Sequence, residues 1–278
     1  MISLIVATIN RVAELERLLA SLDVQTNQDF EVIVVDQNPD DRIVEVLKSH
    51  SGLRILHLHS EPGLSQARNV GLSHANGDVL AIPDDDCWYP RDLLSVIDEW
   101  FRRNREYAVI SAISRDEHGS SVGPNWPQAP TEVTRLLLWR CPISTTIFLR
   151  RELTRAVGDF NQMLGVGANS PYQSGEETDY LLRALDHGFR IWYEPSVVVH
   201  HPKLHSLDRL RTTTYSYALG SGYVMGTHNF SFLYLAGRLV RSLGGAAVSL
   251  LHGDPTMAGI YLKRFNGQLR GYIAGRTS

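Results

Sequence analysis

Short apolar runs alternate with stretches of helical spacing through the first hundred residues. Leu4 to Ala7 is an apolar run of strand length. Val12, Leu15, Leu18, Leu19 and Leu22 then recur at three- and four-residue intervals, the period of one helix face. Phe30 to Val35 is a second β-rich run that stops at Asp36. Ile43, Val46 and Leu47 mark a short helix, and Arg54 to Leu58 a third strand. A helix from about Ser65 to Asn76 follows, with Gly77 in the position of a C′ glycine. Val79 to Ile82 is a fourth strand, and a helix follows Pro90. Strands alternating with helices in this way predict an α/β fold whose mostly parallel central sheet is flanked by helices on both faces. Such sheets bind ligands beyond the carboxyl ends of their strands. The polar residues closing the strands are therefore the candidates for chemistry: Thr8 and Asn10, Asp36, and Asp84 to Asp86.

The sharpest local feature is Pro83-Asp84-Asp85-Asp86, directly after an apolar strand. Adjacent carboxylates repel one another, and a divalent cation relieves the repulsion. Magnesium and manganese take hard oxygen ligands, typically carboxylates together with substrate phosphates. A solvated acidic turn that caps the next helix explains the triplet equally well, and spacing alone leaves both readings open. The chain has 278 residues, 43% hydrophobic and 21% charged, which is an ordinary globular composition. Its net charge of -3 gives no reason to expect nucleic acid as the main partner. Cys87 and Cys141 match no zinc spacing and no disulfide framework, consistent with a reducing, cytoplasmic setting. The first eight residues lack a basic leader and read as a strand, not a signal peptide.

Six features in order resemble family 2 glycosyltransferases over roughly residues 1–205. They are Ala7-Thr8-Ile9-Asn10-Arg11 after the first strand, Val34-Val35-Asp36, and Gly63-Leu64-Ser65-Gln66-Ala67-Arg68-Asn69-Val70-Gly71. Next come Asp84-Asp85-Asp86 with Trp88-Tyr89-Pro90, then Gly175-Glu176-Glu177-Thr178-Asp179, and last the strand Val197-Val198-Val199-His200-His201. Ile9 replaces the usual aromatic, Pro83 precedes the triplet, and Glu177 stands where Asp is commoner. The resemblance implies the GT-A-type nucleotide-diphospho-sugar transferase fold and inverting transfer from a UDP- or dTDP-sugar to an acceptor hydroxyl. By analogy it also implies bacterial surface polysaccharide synthesis. A sugar-nucleotide nucleotidyltransferase and a non-catalytic nucleotide- or sugar-binding module are the alternatives. The first would want a Gly-rich phosphate loop that Thr8-Ile9-Asn10-Arg11 lacks.

The resemblance also implies roles. Asp36 would accept from the imide nitrogen of the base, and Ala7, Thr8, Asn10 and Arg11 would line the nucleoside pocket. Arg68 would meet the diphosphate or the acidic cluster, since a guanidinium offers paired donors. A manganese or magnesium ion would be held by Asp85, Asp86 and His201, with Asp84 nearer the ribose. His200 is one residue out of phase with His201. Glu177 would be the base that takes the acceptor proton, although three acids at a helix start also suit the helix dipole. Glu176 and Trp88 would lie on the substrate side, and Trp88 and Trp139 either stack on sugar or pack in the core.

Gly119 to Pro130 reads as a loop on the acceptor side, and Gly165 to Ser170 as a mobile lid. The expected domain is 1–206, with a nucleotide-sugar half to about 110 and an acceptor half to 206. A helical extension covers 207–278. Phe230 to Leu251 is apolar but broken by Arg238, Arg241 and Gly244-Gly245, too interrupted for a membrane span. With Lys263, Arg264, Arg270 and Arg276 it suits peripheral contact with anionic lipid on the cytoplasmic membrane face, or packing on a second subunit as a homodimer. A saccharide or lipid-linked saccharide is the expected acceptor.

Overall fold

The computed structural model describes residues 1–123, 126–203 and 206–278; Pro124 and Asn125, within the expected Gly119–Pro130 loop, lie outside them. The chain forms two compact units. The first, Met1–Pro62, Gln66–Phe160 and Tyr180–Lys203, contains the whole sheet.

In chain order the first half runs β1 (Ile2–Thr8), α1 (Val12–Asp23), β2 (Phe30–Asp36), α2 (Val44–Ser49), β3 (Ile55–His59), α3 (Leu64–His74), β4 (Val79–Ala81) and α4 (Leu93–Arg103). Then come β5 (Val109–Arg115), β6 (Thr131–Glu132), β7 (Ile147–Arg150), α5 (Arg151–Val157), α6 (Glu176–Asp186) and β8 (Ile191–His200). The eight strands are ordered β3-β2-β1-β4-β7-β5-β8-β6. β1 pairs in parallel with β2 and β4, β2 with β3, and β5 with β8. β7 runs antiparallel between β4 and β5, and β6 antiparallel on β8. Six strands thus share one direction.

β1 and β2 are buried on both faces: Leu4 and Val6 on one and Ile5 on the other, Val32 and Val34 against Ile33 and Val35. This is why they read as continuous apolar runs. α1 packs Leu15, Leu18, Leu19 and Leu22 into the core, while Val12, on the expected face, stays exposed at the helix start. Gly77 is not a left-handed helix cap. Its N–H donates to Ser3 Oγ at 2.7 Å, and a Cβ there would stand 2.6 Å from the Ser3 backbone nitrogen. Close approach to β1, not backbone handedness, requires the glycine. Trp126 of the expected acceptor-side loop is buried, stacked on Tyr193 with centroids 5.7 Å apart.

The second unit joins Gly63–Ser65 and Asn161–Asp179 to the C-terminal helices α7 (Leu207–Thr227), α8 (Phe232–Leu251) and α9 (Pro255–Thr277). Residues 161–179, read from sequence as part of the first domain, therefore belong with the tail. Each tail helix opens on a side-chain cap: Ser206, Ser231 and Asp254 accept the N–H of Arg209, Tyr234 and Met257. α7 and α9 meet through glycines. A Cβ on Gly222 would stand 2.4 Å from the Gln268 carbonyl oxygen, and one on Gly271 2.1 Å from that of Leu219. Gly226, Gly267 and Gly275 meet partner carbonyls in the same way. Four-residue spacing puts these glycines on one helix face, so the two backbones touch.

This seam makes opposite predictions for two similar substitutions. Gly271→Ala forces a methyl into backbone and is expected to cost about 1–3 kcal/mol. Gly244→Ala, on α8 with nothing within 4 Å, is expected to gain about 0.5–1 kcal/mol by helix propensity. Urea unfolding of both variants checks the signs; equal effects would contradict backbone contact along the seam.

Candidate active site

In the first unit, sheet register sets the ends of β2, β1 and β4 side by side. Thr8 pairs with Asp36, and Ala7 forms a parallel bridge with Asp84. Past β4 the chain turns: the Cys87 N–H donates to the Asp84 carbonyl at 3.2 Å, with Asp85 and Asp86 at the corner. It then bridges to the end of β8. Trp88 and His200 exchange backbone N–H···O bonds of 3.0 Å each, which brings His201 to Asp86.

The three carboxylates part company in this turn. Asp84, Asp86 and His201 each offer a ligand atom within 4.8 Å of the others. His201 Nε2 lies 3.0 Å from Asp86 Oδ1. His201 Nδ1 is 2.8 Å from the Pro202 carbonyl oxygen; its N–H donates there, which leaves Nε2 for a ligand. Asp85, expected as the most direct metal contact, is not one of that group; it shares Arg11 with Asp86. Arg11 Nη1 bonds Asp85 Oδ1 at 2.8 Å and Asp86 Oδ2 at 2.5 Å. The geometric set is therefore Asp84, Asp86 and His201. Two carboxylates and one imidazole fit manganese well, and magnesium less well because of the nitrogen donor.

The electrostatics follow from burial. Burial pushes the Asp85 carboxyl up to about 6 despite Arg11 and the Thr8 hydroxyl, with Asp86 and Asp84 adding to the rise. Burial would raise Asp86 as well, but the His201 hydrogen bond and charge, with Arg11, hold it below the usual carboxylate range. Burial opposes the charged form of His201, and the contact with Asp86 overrides it and raises the imidazole. The Arg68 side chain is buried, with Nη2 3.3 Å from Asp84 Oδ1, an oxygen that Ser144 also reaches at 3.3 Å.

The other expected binding residues are also placed. Asp36 is fully buried; its Oδ1 accepts the Asn38 backbone N–H at 2.8 Å and side-chain amide at 2.7 Å. Asp36 thus caps the Asn38 turn, and His57 Nε2 lies 3.1 Å from its Oδ2. Asn10 adopts φ 59°, a left-handed conformation that Asn tolerates. Its N–H donates to Asn38 Oδ1, and its own Oδ1 accepts from Arg42. The Trp88 ring is taken up by protein groups: the Arg17 guanidinium carbon is 3.2 Å from its centroid, and His200 stacks at 5.2 Å. His57, Arg17 and Ser144 are participants that motif reading did not select.

The acidic start of α6 lies in the second unit. Glu176 is buried against Gly165, where a Cβ would stand 3.3 Å from the Glu176 carboxylate. Asp179 Oδ1 meets His228 Nε2 at 2.9 Å, both about nine-tenths buried. Glu177 is half-exposed, unlike its two acidic neighbours. α7 carries this region: Ser174 Oγ donates to the Tyr217 carbonyl at 2.8 Å, and Tyr172 stacks on Tyr223 at 4.2 Å. The segment expected as a mobile lid is bonded internally. Gly165 N–H donates to the Tyr172 carbonyl and Gly167 N–H to Gln173 Oε1.

Comparison with known proteins places these features in a family context. Residues 3–164 match the model of glycosyl transferase family 2. An uncharacterized glycosyltransferase of Haemophilus influenzae is 30% identical over 190 residues, 66% of this chain and 62% of that protein. A dolichol-phosphate mannosyltransferase of Pyrococcus furiosus is 28% identical over 56% of this chain and 48% of its own length. The chain thus spans less than two-thirds of these relatives. Among solved structures, S. aureus TarS 1-349 in complex with UDP-GlcNAc matches with TM-score 0.63 and 18% identity, over 99% of this chain and 91% of that one. The mannosyltransferase PcManGT from Pyrobaculum calidifontis, in complex with GDP-Man and Mn2+, matches with TM-score 0.64 and 18% identity, over 96% and 86%. These likenesses show the fold, the GT-A type with a helical C-terminal region.

The raised Asp85 carboxyl predicts a pH-dependent stability. The folded protein holds this proton up to about pH 6, whereas the ordinary value is 3.8. The associated stability is full below pH 4 and is lost as pH rises through 6. A shift of about two units corresponds to roughly 3 kcal/mol. In EDTA, Asp85→Asn should therefore match the parent near pH 4 and exceed it progressively towards pH 8, read by thermal melting. A pH-independent difference would refute the burial argument.

Proposed function

We propose that this chain, which belongs to glycosyl transferase family 2, moves a sugar from a nucleoside-diphosphate sugar to an acceptor hydroxyl, inverting the anomeric carbon. The observation that carries the reading is the convergence of Asp84, Asp86 and His201 beside the ends of β1 and β2. A UDP- or dTDP-sugar is the favoured donor, and a saccharide or lipid-linked saccharide of bacterial surface polysaccharide the favoured acceptor.

Asp84, Asp86 and His201 would hold the divalent cation. Bound there, it would stabilise charge on the leaving diphosphate as a Lewis acid. Arg68 and Arg11 supply fixed positive charge beside these carboxylates, where the diphosphate would sit. Thr8, Asn10 and Asp36 would seat the nucleoside. Glu177 takes the proton of the acceptor hydroxyl as that oxygen bonds to the anomeric carbon. The carbon–oxygen bond to the diphosphate breaks, and its electron pair leaves with the nucleoside diphosphate. Glu177 suits this task better than Glu176, which is buried while Glu177 is half-exposed.

Glu177→Gln should keep nucleotide-sugar affinity within a few-fold and lower turnover by roughly two to four orders of magnitude. Glu176→Gln is the control. The readout is nucleoside diphosphate release with an acceptor pool, and calorimetry gives the affinity. Near-native turnover of Glu177→Gln, or equal losses in both variants, would remove Glu177 as the base. Release of pyrophosphate would indicate a nucleotidyltransferase, and no release a binding module.

We also propose peripheral contact with an anionic membrane through α8. Its outward face leaves Leu233, Val240, Leu243, Val248 and Leu251 exposed, and the helix contains no acid. Residues 228–278 hold six Lys or Arg and a single acid, although the whole chain carries -3. Among the described residues no helix is long and apolar enough to cross a membrane. Flotation with phosphatidylglycerol vesicles at low salt should carry the protein upward. Val240→Glu with Leu251→Glu should abolish this. A stable dimer in solution that these changes dissociate, without vesicle binding, would assign the face to a second copy instead.

A further inference from the structure

Asp36 carries the acceptor that an imide base would need, yet its side chain has no exposed surface. Donors of the same unit enclose it. A carboxylate has about four lone-pair sites, two on each oxygen. Asn38 fills both on Oδ1, through its backbone N–H at 2.8 Å and its side-chain amide at 2.7 Å. On Oδ2, His57 Nε2 at 3.1 Å takes a third. A carboxylate only accepts, so this contact puts the imidazole proton on Nε2. One site on Oδ2 remains. Of the two enclosing residues, Asn38 is buried, whereas His57 stands on the edge strand β3 with a quarter of its side chain exposed. His57 is therefore the one with room to turn.

We propose that His57 is a specificity-determining residue for the base of the donor, and that with Asp36 it selects an imide base, uracil or thymine. This assignment rests on Asp36 being part of the nucleoside seat. An imide edge carries an N–H with a carbonyl on each side. As the base enters, its N–H takes the open site on Asp36 Oδ2. The His57 ring turns aside, and its Nε2–H passes to the flanking carbonyl of the base. Every buried donor and acceptor stays paired through this exchange, and an orphaned one would be costly. Cytosine fails on both counts. Its ring nitrogen is an acceptor facing Oδ2, and its amino group is a donor facing the His57 N–H. Guanine presents an N–H and an amino group side by side, which a carboxylate takes with both oxygens, and Oδ1 has no site left. The Asp36–His57 pair thus offers one acceptor beside one donor.

The test is calorimetric binding of UDP, CDP and GDP, each with manganese, to the full chain and to its His57 variants. The parent should hold UDP at least about tenfold tighter than CDP or GDP. His57→Ala should weaken UDP about tenfold and bring the UDP-to-CDP ratio close to one. General loosening of the protein would weaken all three nucleotides alike, so the ratio separates base reading from damage. His57→Gln keeps an N–H donor and should retain most of the preference for UDP. The assignment alone is overturned if the parent binds GDP as tightly as UDP, or if His57→Ala keeps the parental ratio or binds UDP more tightly. A parent that binds none of the three overturns it together with the donor reading on which it rests.

Discussion

Asp85 and Asp86 are carboxylates held almost out of water, 6% and 4% exposed, at the end of an apolar strand. Burying a charge costs several kcal/mol unless it is paired, so the surroundings must supply the pairing. Arg11 spans Asp85 and Asp86, His201 meets Asp86, and Arg68 meets Asp84. None of these comes from the segment that bears the acids. Arg11 follows β1, Arg68 sits on α3, and His201 follows β8. The cluster can exist only if the sheet delivers all of them to one place. The bridges Ala7–Asp84 and Trp88–His200 bring Arg11 and His201 there, and α3 brings Arg68. The residual imbalance at Asp85, whose carboxyl stays raised, is the kind of local cost that binding sites retain.

The second unit answers a different requirement, that of holding an irregular segment still. Residues 161–175 contain Gly165, Gly167 and Gly175 at positive φ and form no helix or strand. α7 supplies the scaffold through Ser174, Gly175, Tyr172 and the His228–Asp179 pair. α7 is in turn backed by α9 through glycines that allow backbone contact, which gives dispersion at short range without side-chain entropy loss. Within the second unit, the tail helices thus hold the start of α6.

Much of this was legible in the chain. Continuous apolar runs and 3.6-residue spacing located β1 to β4 and their helices, most sharply where β1 and β2 are buried on both faces. Strand-end polar residues stood out because apolar runs stop at them. What stayed hidden is three-dimensional in origin. Nothing in three consecutive Asp residues tells that Arg11 meets both Asp85 and Asp86 while His201 meets Asp86; the fold of the turn decides it. Trp88, which the chain left open between sugar and core, meets Arg17 from α1. Gly77 looked like a helix cap because its close neighbour, Ser3, lies 74 residues away. Two signals were readable and carry structure: His57-x-His59 at a strand end, and Gly267, Gly271 and Gly275 at four-residue intervals.

The same physics explains why the site resolves into groups of distinct donor character. Asp84, Asp86 and His201 are rich in oxygen and sit amid fixed cations, an arrangement suited to a hard ion that shares its shell with phosphate. Asp36, with two imidazoles, is richer in nitrogen and stands at a sheet edge. Both sets lie at carboxyl ends of parallel strands, because that is where alternating α/β units release their polar residues from the core. Donor type then follows from which strand supplies the ligands. The Asp84 set takes its acids from the turn after β4, where arginine and histidine side chains meet them. The Asp36 set takes its imidazoles from an edge strand, where alternate residues project from a common face. One topology therefore gathers two chemically different groups of polar side chains at its strand ends.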